Sequence, residues 1–291
     1  RIMAIGEVLW DVFPDGAKFG GAPCASCHQQ FAGFATLDHA LSHGFNNQFT
    51  RRNAPGLFNL AWRTVLHWDG GIDHLEVQPL APITAPNEMA ETLEEVISRL
   101  KADKVYPAQF KAAFGTEEIN SQRMLKALAQ FMGSLVSGNA KFDQVKRGQA
   151  SFTIGEQSGY AIFKSKCAGC HPEPLFTDTR FHNTGLAVDP VLNDSGRMRI
   201  THDPGDLLKF MTPSLRNVYN TAPYGHDGRF YSIGAVIDHY RSGVVVTATT
   251  DTLLIKGIAV SEEEKLDLLS FLRTLTDTTF LRDKRFAKPG G

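Results

Sequence analysis

The pentapeptides Cys24-Ala25-Ser26-Cys27-His28 and Cys167-Ala168-Gly169-Cys170-His171 together contain every cysteine of the 291-residue chain. Cys-x-x-Cys-His is the attachment signature of a c-type haem. Two thiols three positions apart both reach the vinyl groups of one macrocycle, and the adjacent histidine is placed to ligate its iron. The same Cys-x-x-Cys spacing serves a four-thiolate zinc site or a redox dithiol. Neither accounts for a histidine after both pairs. The sequence therefore predicts two covalent haems.

A chain of this length has room for two domains of ordinary size, and each half carries one haem motif. We place the boundary in the polar stretch 138–149, which holds Lys146-Arg147-Gly148, giving units 1–143 and 144–291. A weaker repeat points the same way. Gly6-Glu7-Val8-Leu9-Trp10 and Gly159-Tyr160-Ala161-Ile162-Phe163 share a Gly-x-x-apolar-aromatic pattern ahead of the two motifs.

A net charge of −1 and a pI near 6.9 leave no electrostatic footprint for nucleic acid or an anionic membrane. No run approaches the roughly 18 apolar residues of a membrane span, and residues 1–10 lack the apolar core of a signal peptide. Covalent haem attachment in bacteria takes place outside the cytoplasmic membrane. The chain reads as an exported, periplasmic protein whose leader has been removed, with cysteines used for haem and not for disulfides.

Periodicity predicts a mainly α fold of two cytochrome c-like domains with few short strands. Residues 1–23 read as a short helix or turn running into a Gly/Pro-rich loop. The stretch after the first haem motif is rich in Gly, Pro, Asn and aromatics and reads as loops wrapped around a cofactor. A helix is expected from Glu88, with Leu93, Val96, Ile97 and Leu100 inward and Glu88, Glu91, Glu94 and Glu95 favouring its N-terminal dipole. A longer one is expected from about Glu117, with Met124, Leu125, Leu128, Phe131, Met132, Leu135 and Val136 as its stripe. Ser261 to Glu264 form a capping box ahead of Leu266, Leu269, Leu272 and Leu275. Gly243 to Thr247 is the clearest strand-like run.

Several further segments resemble the bacterial dihaem cytochrome c peroxidase and MauG superfamily: Arg52-Asn53-Ala54-Pro55, Trp68-Asp69-Gly70-Gly71, Leu75-Glu76-Val77-Gln78, Asn87-Glu88-Met89, Pro213 to Val218, and Ala222-Pro223-Tyr224-Gly225-His226-Asp227-Gly228. The resemblance runs from about Gly6 to Leu275. It implies that the first haem reacts with hydrogen peroxide and the second handles electrons. His28 and His171 would be the proximal ligands. Glu88 and Gln78 would lie on the open face of the first haem, the carboxylate moving a proton between the peroxide oxygens and the amide orienting them. Trp68 would relay charge between the haems. Asn53, Thr221 and Pro223 match the interdomain calcium site, whose oxygen ligands suit a hard cation. His43 matches the position that closes the first iron in resting peroxidases. Arg197, Arg199 and Arg216 would pair with haem propionates.

The most informative departure is Tyr240, fourteen residues after His226, where a typical peroxidase has a methionine ligand. Helical spacing puts it inward with Ile233, Val236 and Ile237, and its neighbour His239 about 100° round the helix. Met211 is the other rival. A thioether favours ferrous iron, whereas an anionic phenolate favours ferric and higher states. The MauG branch carries a tyrosine at this place. The expectation is a MauG-like enzyme that stores oxidising equivalents from peroxide and oxidises a residue, such as a tryptophan, of a partner protein. The alternative is a cytochrome c peroxidase fed by a small cytochrome or copper protein; a non-catalytic dihaem carrier is a third reading.

Overall fold

The computed structural model describes residues 23–287. The expectations for residues 1–22, among them the first copy of the Gly-x-x-apolar-aromatic pattern, lie outside that range. The first thiols ride on a single helical turn, α1 (Cys24–Cys27). From there to Pro79 the chain makes only 3₁₀ turns, at Gln30–Ala32, Phe45–Asn47 and Leu60–Trp62. Such a segment has few hydrogen bonds of its own and needs something to wrap around. Behind it stand α2 (Leu80–Thr84), α3 (Leu93–Ala102), α4 (Tyr106–Phe114) and α5 (Ser121–Ser134).

The remainder comprises α6 (Lys141–Lys146), α7 (Ile154–Lys166), α8 (Met198–Thr201), α9 (Ile233–Asp238), α10 (Glu262–Arg273) and α11 (Thr278–Leu281). The strands β1 (Phe181–His182) and β2 (Phe210–Met211) pair antiparallel, Phe181 with Met211 and His182 with Phe210. Gly243 to Thr247 is not a strand. Gly243 closes a π turn over His239–Gly243, and the valines after it are held by one backbone bond, Val245 N–H to Gly185 O.

Local chemistry moved three helix boundaries or faces. Thr92 and Glu95 form a capping box, so α3 begins at Leu93 and not at Glu88. Ala90, at φ 54°, breaks any earlier start, and Glu88 sits in the preceding turn. Asn120 caps α5 through the Arg123 N–H, so this helix starts later than Glu117, and Val136 beyond its end is 46% exposed. The Ser261 and Glu264 capping box is present, yet Leu266 is 66% exposed. The buried face of α10 is Leu268, Phe271, Leu272 and, just beyond its end, Leu275. It meets α7 at Gly159, where any Cβ would overlap the Asp267 carbonyl.

Two apolar clusters result. The first gathers Phe34, Phe58, Leu100, Phe110 and Phe131, with Phe280, Leu281 and Phe286 returning from the C-terminal end. The second gathers Phe142, Phe163, Phe176, Phe271 and Leu275. The stretch 138–149 is thus folded and not an open linker: α6 buries Phe142, and the Gly138 and Asn139 N–H groups donate to Asp277 Oδ2. The halves are joined near Trp68. Arg52 spans Asp194 (2.6 and 2.8 Å) and Asp69 (2.6 Å), and Asn53 N–H donates to His226 O.

Candidate haem site

The two motif histidines are held alike. His28 Nδ1 lies 2.7 Å from Phe34 O, and His171 Nδ1 lies 2.9 Å from Phe176 O. A carbonyl only accepts, so each Nδ1 carries the proton and each Nε2 keeps its lone pair, the arrangement that orients a metal-binding imidazole. Burial lowers the pKa of both rings, which favours the neutral, ligating form. It raises Cys24 and Cys167 to about 12, so these thiols stay protonated. The four cysteines do not converge on a zinc site. Among the described residues the one metal-capable trio joins Cys170 to Asp178 and His182.

A cavity of about 750 Å³ runs between the halves, bounded by Gln78, His67, Trp68 and Arg63 on one side and by Cys167, Cys170, His171 and Tyr240 on the other. Its chemistry fits a haem. Most of the lining is aliphatic or aromatic, and the polar groups in it without a partner among the described residues include Tyr240 and Arg63. The Tyr240 hydroxyl makes no hydrogen bond among the described residues, and burial pushes its phenol up to about 12. The Arg63 guanidinium has no carboxylate partner among the described residues, and burial lowers it to about 10. A metal cation suits the first and a propionate the second.

The second face owes its geometry to a break in helical period. At His239–Gly243 the backbone widens into a π turn. Both Tyr240 and His239 therefore border the cavity, contrary to the separation an α-helix gives. His239 Nε2 is spent on Thr184 O at 2.9 Å, and its Nδ1 abuts Gly243. The phenol has no such commitment. Met211 also borders the cavity, its backbone N–H bonded to Trp68 O at 2.8 Å.

On the first face Gln78 Nε2 stands 3.4 Å from His67 Nε2, and His67 is near enough to His28 for their charges to oppose each other. The expectations omitted His67 and Arg63; their only signal was proximity to Trp68. Glu88 does not border the cavity. Its turn packs under Gly44, where a Cβ would overlap the Asn87 and Glu88 carbonyls, and its charge helps to raise the Cys27 thiol. Burial raises the pKa of Glu88 itself. His43, on the loop above, bonds Asn47 Oδ1 at 2.6 Å and packs on His39 and Phe49.

Trp68 is fixed from both sides: its indole N–H donates to Asn53 O at 2.9 Å and its carbonyl accepts from Met211. Asn53, Thr221 and Pro223 all border the same cavity. The Asn53 amide N–H₂ is bonded to Ala40 O at 3.0 Å, and its side-chain oxygen accepts no hydrogen bond among the described residues. The three predicted propionate arginines stand elsewhere. Arg216 is buried on Asp143 (2.8 and 2.9 Å), Arg197 bonds Asp69 O and stacks on Phe181, and Arg199 is exposed on α8. Guanidinium groups already matched to carboxylate or aromatic partners are poorly placed for propionates; Arg63 is the better candidate.

The sequence profile of the family described as di-haem cytochrome c peroxidase matches residues 17–151. The chain is 39% identical to the methylamine utilization protein MauG of Methylorubrum extorquens, over 94% of this chain and 77% of that one. It is 31% identical to the cytochrome-c peroxidase IdrP2 of Denitromonas iodatirespirans, over 88% of this chain and 76% of that one. A crystal structure of a MauG-like protein associated with microbial copper homeostasis superposes with a TM-score of 0.89 at 32% identity, covering 99% of this chain and 93% of the other.

Proposed function

The chain belongs to the di-haem cytochrome c peroxidase and MauG family of haem peroxidase-type oxidoreductases, and from that premise we propose that it is a MauG-like enzyme. It takes oxidising equivalents from hydrogen peroxide and delivers them to a residue, such as tryptophan, of a partner protein in an exported compartment. The two c-type haems of the family supply the peroxide chemistry and the storage of one-electron equivalents when bound.

The protein's own groups then have these parts. Residues 1–143 would house the first haem and 144–291 the second. Cys24, Cys27, Cys167 and Cys170 would be the covalent anchors, His28 and His171 the Nε2 ligands, and Arg63 a propionate partner. Glu88 would take the proton from the near oxygen of peroxide and return one to the far oxygen. Its raised pKa suits both halves of that transfer, because a carboxyl poised nearer neutrality yields a proton as well as it accepts one. Gln78, steadied by His67, would orient the peroxide. Trp68, bonded to both halves, would be the fixed relay. Asn53, Thr221 and Pro223 would hold calcium through an amide oxygen and backbone carbonyls.

The observation that carries the reading is Tyr240, a phenol with no hydrogen-bond partner among the described residues, beside Cys167, Cys170 and His171. A phenol that burial holds protonated ionises only next to a strong positive charge, and then stabilises the oxidised side of that centre. The test is the optical and near-infrared spectrum of the diferric protein before and after one equivalent of peroxide. The change should persist in the wild type and decay quickly in Tyr240→Met. Equal decay would remove the phenolate from the mechanism.

Met211 supports a second reading, because it also borders the cavity and carries a thioether. With sulfur on the second iron the protein would reduce peroxide using electrons from a small cytochrome or copper protein. Redox titration separates the two: a second haem reducible at clearly positive potential, with a sulfur charge-transfer band abolished in Met211→Leu, would favour this scavenging role.

A further inference from the structure

His182 on β1 is held between two carboxylates. Its Nδ1 is 2.6 Å from Asp251 Oδ2, and its Nε2 is 2.9 Å from Asp178 Oδ2. Neither acid is there by chance of rotamer. The Asp178 backbone N–H donates to Cys170 O at 3.0 Å, and the Asp251 N–H donates to Asn183 O at 3.0 Å. Asn183, fully buried, ties the Asp251 loop down further through Thr247 and Thr249. The ligating atoms of Cys170, Asp178 and His182 lie within 4.8 Å of one another, and His182 and Asp251 border the cavity beside His171.

This trio is a poor metal site, since both imidazole nitrogens are already spent on carboxylates. Its charge is better defined. Their partners hold Asp178 and Asp251 below the usual carboxylate range, so both are ionised, and two carboxylates around one imidazole leave the group anionic whichever form the ring takes. The side chains are largely buried, with exposures of 12% for Asp178, 19% for His182 and 18% for Asp251, so water screens that charge weakly. The neighbouring cation Lys166 is neutralised by Glu264 at 2.9 Å.

We propose that Asp178, His182 and Asp251 form a fixed anionic cluster that lowers the reduction potential of the second haem. The proposal rests on the reading of Cys170 and His171 as that haem's anchors. A negative charge beside an iron stabilises ferric over ferrous, which is one of the levers a protein has on a haem. The cluster would act in the same direction as a Tyr240 phenolate, but through groups that stand apart from Tyr240, and so without depending on that residue's role.

Spectroelectrochemical titration of the haem-loaded protein tests it, using Asp251→Asn, Asp178→Asn and the charge-conserving Asp251→Glu. Each asparagine variant should shift the ferric-to-ferrous ratio of the second haem about tenfold at fixed potential, a rise of about 59 mV for one electron. Asp251→Glu and the first haem should stay near their wild-type values. If Asp178→Asn fails to mature, Asp251→Asn alone carries the measurement. A two-haem Asp251→Asn protein with an unmoved second potential overturns the cluster; a wild-type protein holding one haem overturns the anchoring reading and the proposal with it.

Discussion

The surroundings of His28 and of His171 begin from the same chemistry and end with different neighbours. Each histidine follows a Cys-x-x-Cys turn, bonds a phenylalanine carbonyl through Nδ1 and is kept neutral by burial. What differs is the set of groups nearby. Near the first motif stand His67, which opposes the charge of His28 and holds Gln78, and Glu88, which acts on the Cys27 thiol; Gln78, His67 and Arg63 line the cavity, which the motif itself does not border. Around the second is one widened helical turn carrying Tyr240, backed by the anionic Asp178, His182 and Asp251 group. On the proposed reading attachment is generic, then, and reactivity would be set by the groups around each histidine. Groups that carry protons suit peroxide chemistry; anionic character suits the keeping of an oxidising equivalent.

The contrast can be broken most severely on the first side. Glu88→Gln keeps the shape and removes the base, and peroxide should then react about 10²–10⁴-fold more slowly, measured by stopped-flow on the diferric protein. The second haem's potential should not move. A Glu88→Gln protein reacting at the wild-type rate would take Glu88 out of the first pocket.

The joint between the regions comes next. Arg52→Ala strands Asp69 and Asp194 as buried, uncompensated charges, and a loss of about 3–5 kcal/mol is expected in denaturant unfolding. Because Asp69 follows Trp68, communication between the haems should suffer as well. Gly159→Ala is a smaller and one-sided change. A methyl there pushes α7 off the Asp267 carbonyl, at a cost of about 1–3 kcal/mol, and it should disturb the spectrum of the second haem while peroxide still reacts at the first.

The smallest effect is a pH limb. Burial raises the Glu88 pKa, so the native state holds that proton up to a higher pH than the unfolded chain does. Between the unfolded and folded values the native state binds more protons, and stability from this group falls as pH rises through that window. The rate of peroxide reaction should do the reverse, rising with pH as the base ionises, with its midpoint above the ordinary glutamate range. Glu88→Gln should abolish both dependences.

Much of the site was legible because thiol spacing and a few loop segments are local properties. The two Cys-x-x-Cys-His motifs, Trp68 and Tyr240 could be picked out before any contact was known, and the mainly helical fold followed from periodicity. Glu88 could not be placed, since whether it opens a helix or lies in the turn before depends on Thr92 capturing the cap and on Ala90 taking a left-handed conformation. Arg216 is matched by Asp143 and Arg197 by the Asp69 carbonyl, partners 73 and 128 positions away that no local pattern announces. Arg63 and His67 carry no motif and show their role only as members of a cavity wall.

Residue type and short spacing alone marked two haem-attachment motifs and the histidines that follow them, and the resemblance to the family pointed to Tyr240 at the place of the usual methionine, because covalent and ligand chemistry reside in local sequence. Only the tertiary structure decided which charges go unpaired, that a π turn brings Tyr240 and His239 to one wall, and that Asp178 and Asp251, 73 positions apart, close on a single imidazole. Those outcomes depend on distances between segments that no local pattern encodes, and electrostatic energy depends on distance and burial.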